Sequence, residues 1–182
     1  FVVNYDTCRL ASGRVIDVFT YYTPQQNSTW QNSVRFAKDA IRHYSGLVGE
    51  YPYNVVSAVQ GPESFGGGME YPTITVLSPS KTSSEIDNTI AHEIGHNWFY
   101  GILGSNERID PWMDEGINAY YEALYTAKKD DYFTQQADQN ELEALIAAKK
   151  DQPIETSSEL FSETNYSAIV YYKASQWLKW LH

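Results

Sequence analysis

The stretch Thr82-Ser83-Ser84-Glu85-Ile86-Asp87-Asn88-Thr89-Ile90-Ala91-His92-Glu93-Ile94-Gly95-His96 opens with the signature of a helix start. A threonine followed three residues later by a glutamate makes a capping box, in which each side chain satisfies a backbone N–H left unpaired at a helix N-terminus. Ile86, Ile90, Ile94 and Phe99 then recur at helical spacing, so one face can enter a core until Gly101 and Gly104 end the helix. His92-Glu93-Ile94-Gly95-His96 fits H-E-x-x-H on that predicted helix. At about 100° per residue, positions four apart lie on one face a turn from each other, so both imidazoles can reach one ion. Glu93 projects to the side, where it can approach a water beside the ion without taking a coordination position. Zinc accepts imidazole and carboxylate ligands in a tetrahedral set and keeps one position open when it is catalytic. Such a site needs a third protein ligand.

Upstream of this helix the pattern is that of strands. Arg14 to Tyr22 is rich in β-branched and aromatic residues, partly alternates, and is ended by Pro24. Asn27 or Ser28 can cap a helix in which Val34, Ala37, Ile41 and Tyr44 recur before Gly46 stops it, with His43 as polar punctuation rather than a ligand. Tyr53 to Val59 and Thr73 to Leu77 read as further strands, separated by a loop containing Gly66-Gly67-Gly68. Downstream the pattern is helical. Proline suits a first helical turn, so a second long helix is expected from Pro111-Trp112 through Tyr125. Residues 127–165 are mostly polar, with one helix around Glu141 to Lys149 and a loop holding Pro153. From Tyr166 to Leu181, Ile169, Lys173, Trp177 and Leu181 are again spaced by three or four. Strands early and helices late, without an internal repeat, define an α+β class: a small mixed sheet followed by a mainly helical half.

The third ligand has a candidate in Trp112-Met113-Asp114-Glu115-Gly116. Eighteen residues separate His96 from Glu115, enough to finish one helix, turn back through Gly101 and Gly104, and start another whose first turn faces the ion. Glu122 lies seven residues after Glu115 on the same helical face, where it could accept a hydrogen bond from a ligating histidine. Its alternative reading is a solvated helix carboxylate.

Composition excludes several other functions. Acidic residues outnumber basic ones 23 to 13 with no long basic run, which argues against a nucleic-acid or anionic-membrane partner. No stretch of about 18 apolar residues appears, so no membrane span is expected in this sequence. The single cysteine, Cys8, allows no intrachain disulfide and reads as an idle thiol. The 182 residues suit one domain. Phe1-Val2-Val3-Asn4-Tyr5-Asp6 lacks the basic start and apolar block of a signal peptide. A start without Met and a stop inside an apolar-periodic segment predict a single catalytic domain, residues 1–182, excised from a longer multidomain protein, with residues 1–12 as a candidate tail of a preceding domain.

His92 to His96, the following Asn97-Trp98-Phe99, and Trp112 to Gly116 at that spacing resemble the gluzincin zinc peptidases of the aminopeptidase N type. Gly67-Gly68-Met69-Glu70-Tyr71-Pro72 resembles the exopeptidase motif of that family, and Tyr166 with Tyr171-Tyr172-Lys173-Ala174 resembles the segment of its catalytic tyrosine. Four ordered motifs over roughly residues 55–182 are far more specific than one. Tyr71 replaces the usual Asn, Asp114 the more frequent Asn, Asn97 the usual Gln and Ala174 the usual Gly; these departures bear on substrate contacts more than on the metal.

The resemblance implies a thermolysin-like catalytic domain that binds one Zn2+ through His92, His96 and Glu115. It implies Glu93 as the general base, Tyr171 as the oxyanion donor, and Gly67, Gly68, Met69 and Glu70 as substrate-binding residues. Glu70 would pair with the free α-amino group of a peptide and restrict cleavage to the first bond. The strand from Thr73 to Leu77 could offer an edge for pairing the extended peptide. Further domains of the parent chain are implied as partners; the sequence is silent on location, although the family includes exported or cell-envelope bacterial enzymes. Two alternatives remain at this level: a thermolysin-like endopeptidase, in which Glu70 is incidental, and a non-catalytic peptide-binding fragment. A metzincin is disfavoured, since no His-x-x-Gly-x-x-His continuation follows His96.

Overall fold

The computed structural model describes residues 1–129 and 136–182. The chain divides into two compact units, Phe1–Trp98 and Phe99–His182.

The first unit is built on a five-stranded mixed sheet in the order β1-β2-β3-β5-β4. β1 (Val2–Arg9) runs antiparallel to β2 (Val15–Tyr22), pairing from Val2 opposite Tyr22 to Arg9 opposite Val15. β2 and β3 (Val55–Gln60) are parallel, as are β3 and β5 (Ile74–Leu77). β4 (Gly68–Met69) closes the order, antiparallel to β5. The parallel β2–β3 pair needs a crossover, and the helical stretch between them supplies it: a single turn, α1 (Asn27–Trp30), then α2 (Ser33–Val48). α2 buries Phe36, Ala37, Ala40, Ile41 and Tyr44, while β2 buries the alternate residues Ile16, Val18, Thr20 and Tyr22. α3 (Ser83–Gly95) buries Ile86, Ile90 and Ile94 completely, a gain of roughly 1.5–3 kcal/mol for each side chain over leaving it in water. Trp98 ties down the chain beyond α3. Its ring stacks on Tyr44 with centroids 5.4 Å apart, and its indole N–H donates to the Gly49 carbonyl at 2.8 Å.

In the second unit, α4 (Ile117–Ala127) packs on α7 (Ala174–Leu181), and α5 (Gln136–Ala147) packs on a widened, π-helical run over Tyr166–Lys173. A short α6 (Glu163–Asn165) leads into that run, and another widened turn, Trp112–Gly116, leads into α4. No helix among the described residues is long and apolar enough to cross a membrane.

Several expectations are met with shifted boundaries. The first predicted helix breaks at Gln31-Asn32 and ends at Gly49, whose φ of 116° no β-carbon tolerates well, rather than at Gly46. The helix carrying His92 ends at Gly95, and the chain leaves helical geometry at Phe99 and Tyr100, ahead of Gly101 and Gly104. The helix expected at Glu141 to Lys149 spans Gln136–Ala147, while residues 130–135 of the polar stretch lie outside those described.

Two strands went unpredicted. β1 buries only Cys8, so its side chains carry no apolar alternation, and β4 is two residues long. They correct one expectation. The strand after Pro72 is interior, between β3 and β4, and the edge belongs to Gly68–Met69.

Candidate metal centre and substrate anchor

The capping box anticipated at Thr82 is formed. The Thr82 hydroxyl accepts the Glu85 N–H at 3.1 Å and the Glu85 carboxylate accepts the Thr82 N–H at 3.2 Å. With its start capped and its isoleucines buried, α3 is held against the core, and helix geometry places His92 and His96, four residues apart, on one face. His96 caps the helix in near-helical geometry (φ −62°, ψ −14°). The two Nε2 atoms lie 3.1 Å apart, with the rings edge to face. Two nitrogens about 2.0–2.1 Å from a single zinc ion would be about 3.3–3.4 Å apart at the tetrahedral angle. The pair therefore fits zinc as a donor set.

Glu93 is almost wholly buried, at 4% exposure. Its carboxylate lies against β4 and β5: the Thr75 hydroxyl is 3.4 Å from Oε2 and also donates to the Met69 carbonyl at 2.9 Å. A β-carbon placed on Gly68 would sit 1.8 Å from Glu93 Oε1. The absent side chain of Gly68 is thus the space that Glu93 occupies. Gly67, in the left-handed region at φ 82°, shapes the turn into β4. Glu70 follows directly, and its carboxylate lies within 4.8 Å of the ligating atoms of both Glu93 and His96.

Two contributors lay beyond sequence reasoning. Thr75 reads in the sequence as an ordinary strand residue, and Asn97 as a departure from a family pattern. In the structure Asn97 is buried, donating from Nδ2 to the Ile94 carbonyl at 2.9 Å and accepting the Thr73 N–H on Oδ1 at 3.0 Å. The Tyr51 hydroxyl lies 3.3 Å from the same Oδ1, and burial pushes the Tyr51 phenol well up, so it stays a neutral donor.

The second unit carries Glu115, Glu122 and Tyr171. Glu115 lies half-buried in the widened turn Trp112–Gly116, next to buried Asp114. A widened turn of this kind interrupts an α-helix at a local cost and is frequent at functional sites. Gly116 is the contact point with the opposite segment. A β-carbon there would lie 2.5 Å from Ala174 Cβ and 2.7 Å from the Val170 carbonyl oxygen. That close approach joins the Glu115 turn to the Tyr166–Lys173 run, where Tyr171 is half-buried and meets Tyr166 edge to face. Glu122 is half-buried on α4.

A mixed five-stranded sheet followed by a helical half carries, on the first helix beyond the sheet, a converging histidine pair suited to hold a metal ion. Residues 35–182 match the Peptidase family M1 domain, and the chain belongs to that family. Glutamyl aminopeptidase of Bos taurus is 24% identical over 168 residues, covering 86% of this chain and 18% of that protein. Leucine aminopeptidase 2 of Chaetomium globosum is 33% identical over 140 residues, covering 72% of this chain and 22% of that protein. The fold matches the crystal structure of an M1 zinc metallopeptidase from Deinococcus radiodurans with a TM-score of 0.64, at 17% identity over 96% of this chain and 38% of that one. The chain therefore spans about a fifth of the length of these curated relatives.

Proposed function

We propose that the protein removes amino-terminal residues from peptides by zinc-dependent hydrolysis, with this chain as a single catalytic domain within a longer parent. His92, His96 and Glu115 are the candidate ligands of one zinc ion. When bound, zinc lowers the pKa of water toward about 7 and polarises a carbonyl for attack. Glu93 accepts the proton of the attacking water and passes it to the leaving amine. Its burial against Gly68 and Thr75 holds the carboxylate in one orientation. Tyr171 presents its phenol to the developing oxyanion. Glu122 orients a ligating imidazole by accepting its second N–H. Gly67, Gly68 and Met69 receive the substrate, because the edge strand β4 keeps backbone groups available for an extended peptide.

The observation that carries the exopeptidase reading is the position of Glu70, within 4.8 Å of Glu93 and His96. An ammonium paired with that carboxylate brings the first peptide bond, and no later one, beside Glu93. The aminopeptidase names of the relatives point the same way. A mutant of the Deinococcus radiodurans protein, with a TM-score of 0.59 to this chain, has been solved bound to a Tyr-Ser-Ala substrate.

The test compares a short peptide bearing a free amino terminus with its acetylated form, using the zinc-loaded full-length protein and Glu93→Gln as control. Cleavage of the free peptide alone supports the proposal. Equal cleavage of both makes the protein an endopeptidase, and binding without cleavage makes it a peptide-binding module.

A further inference from the structure

Tyr71-Pro72-Thr73-Ile74 forms a tight turn, closed by the Ile74 N–H donating to the Tyr71 carbonyl at 3.0 Å. Proline at its second position and a positive φ at its third are the marks of a type II turn, whose third position favours glycine or asparagine. Here that position is Thr73, at φ 70°. A β-branched side chain is strained in the left-handed region, and such strain persists only where the surroundings over-determine it. Two hydrogen bonds do so. The Thr73 carbonyl accepts the Ser57 N–H of β3 at 2.8 Å, and the Thr73 N–H donates to Asn97 Oδ1 at 3.0 Å. Asn97 is itself fixed by its donation to Ile94 at the end of α3 and by the Tyr51 hydroxyl.

From this geometry we propose that Asn97 is a positioning residue: it clamps the strained turn after Glu70 to the end of the histidine-bearing helix, and so sets where Glu70 holds the substrate ammonium. The inference rests on the reading of Glu70 as the amine anchor. Asn97 touches no substrate. It acts by fixing the Thr73 backbone, and with it the path of the chain that leaves Glu70. A clamp between the helix end and the turn keeps the anchor in register with His92, Glu93 and His96.

The experiment measures kcat, KM and zinc content with the free-amine peptide in the full-length zinc-loaded protein. Asn97→Ala leaves the Thr73 N–H without its acceptor, and KM is expected to rise on the order of 10-fold with zinc content unchanged. Adding Thr73→Gly removes the strain the clamp opposes, so the double variant should recover most of the loss. Asn97→Asp keeps an acceptor for Thr73 while losing the donor to Ile94. Its KM should rise less than that of Asn97→Ala, and if Asn97→Ala does not fold, Asn97→Asp takes its place, with a KM rise that Thr73→Gly again reduces. An unchanged KM in Asn97→Ala, a loss that Thr73→Gly fails to rescue, or a KM in Asn97→Asp raised as far as in Asn97→Ala overturns the clamp. Equal cleavage of free and acetylated peptide by the wild type overturns the anchor reading itself, and the clamp with it.

Discussion

Gly68 and Glu93 share one volume: the space a β-carbon would need on Gly68 is filled by the Glu93 carboxylate, 1.8 Å from the β-carbon position. The glycine thereby lets an edge strand run against a buried glutamate. Gly68→Ala should push the carboxylate off its position, and a displacement near 1 Å at a reacting group can lower the rate by about 10²-fold. The expected result is a large fall in kcat with zinc content intact. Steady-state kinetics beside metal analysis checks this, and an ordinary kcat would mean that Glu93 has room to retreat.

Gly116 makes the corresponding contact in the second unit, against Ala174 Cβ and the Val170 carbonyl. Gly116→Ala forces those segments apart, and overpacking of this kind costs about 1–3 kcal/mol. Thermal melts should show the drop. Ala174→Gly in the same protein should restore part of it, because one of the two clashing groups is gone while the Val170 carbonyl remains. Failure of the pair to recover any stability would place the damage elsewhere.

The stability of the first unit should depend on acid through Asp6. The Lys38 ammonium, hydrogen-bonded to its carboxylate, and the Thr7 N–H hold the Asp6 carboxyl below its ordinary range. A carboxyl depressed in the folded state stabilises above its unfolded pKa, about 3.9, and loses that contribution as pH falls through the folded value. Asp6→Asn should therefore flatten the decline of stability in this window while lowering stability at neutral pH. Urea unfolding at about pH 7 and about pH 3 checks the sign. Asp6 is exposed, so the effect should shrink in added salt.

Local chemistry makes part of this protein legible in its sequence. The Thr82–Glu85 capping box depends on residues three apart, and the His92–His96 convergence on residues four apart. Both follow from helix geometry, and both appear as expected. The sheet was read less completely. β1 is an edge strand that buries only Cys8, and β4 has two residues, so neither carries a periodic apolar signal. The strand after Pro72 is expected from the sequence to offer an edge, yet β4 pairs with its Val76 and Leu77 and takes that place there.

Spacing along the chain therefore suffices wherever a relationship spans one or two turns of one element. It predicts a helix start, a histidine pair and a carboxylate motif on a second helix, because 3.6-residue periodicity acts locally. Close approaches between elements are another matter. That Glu93 occupies the place of a Gly68 side chain, that Asn97 holds Thr73 at φ 70°, and that Gly116 abuts Ala174 are consequences of packing. They arise from which strand lies beside which helix at what distance, and residues 24, 25 or 58 positions apart carry no mark of that in their order.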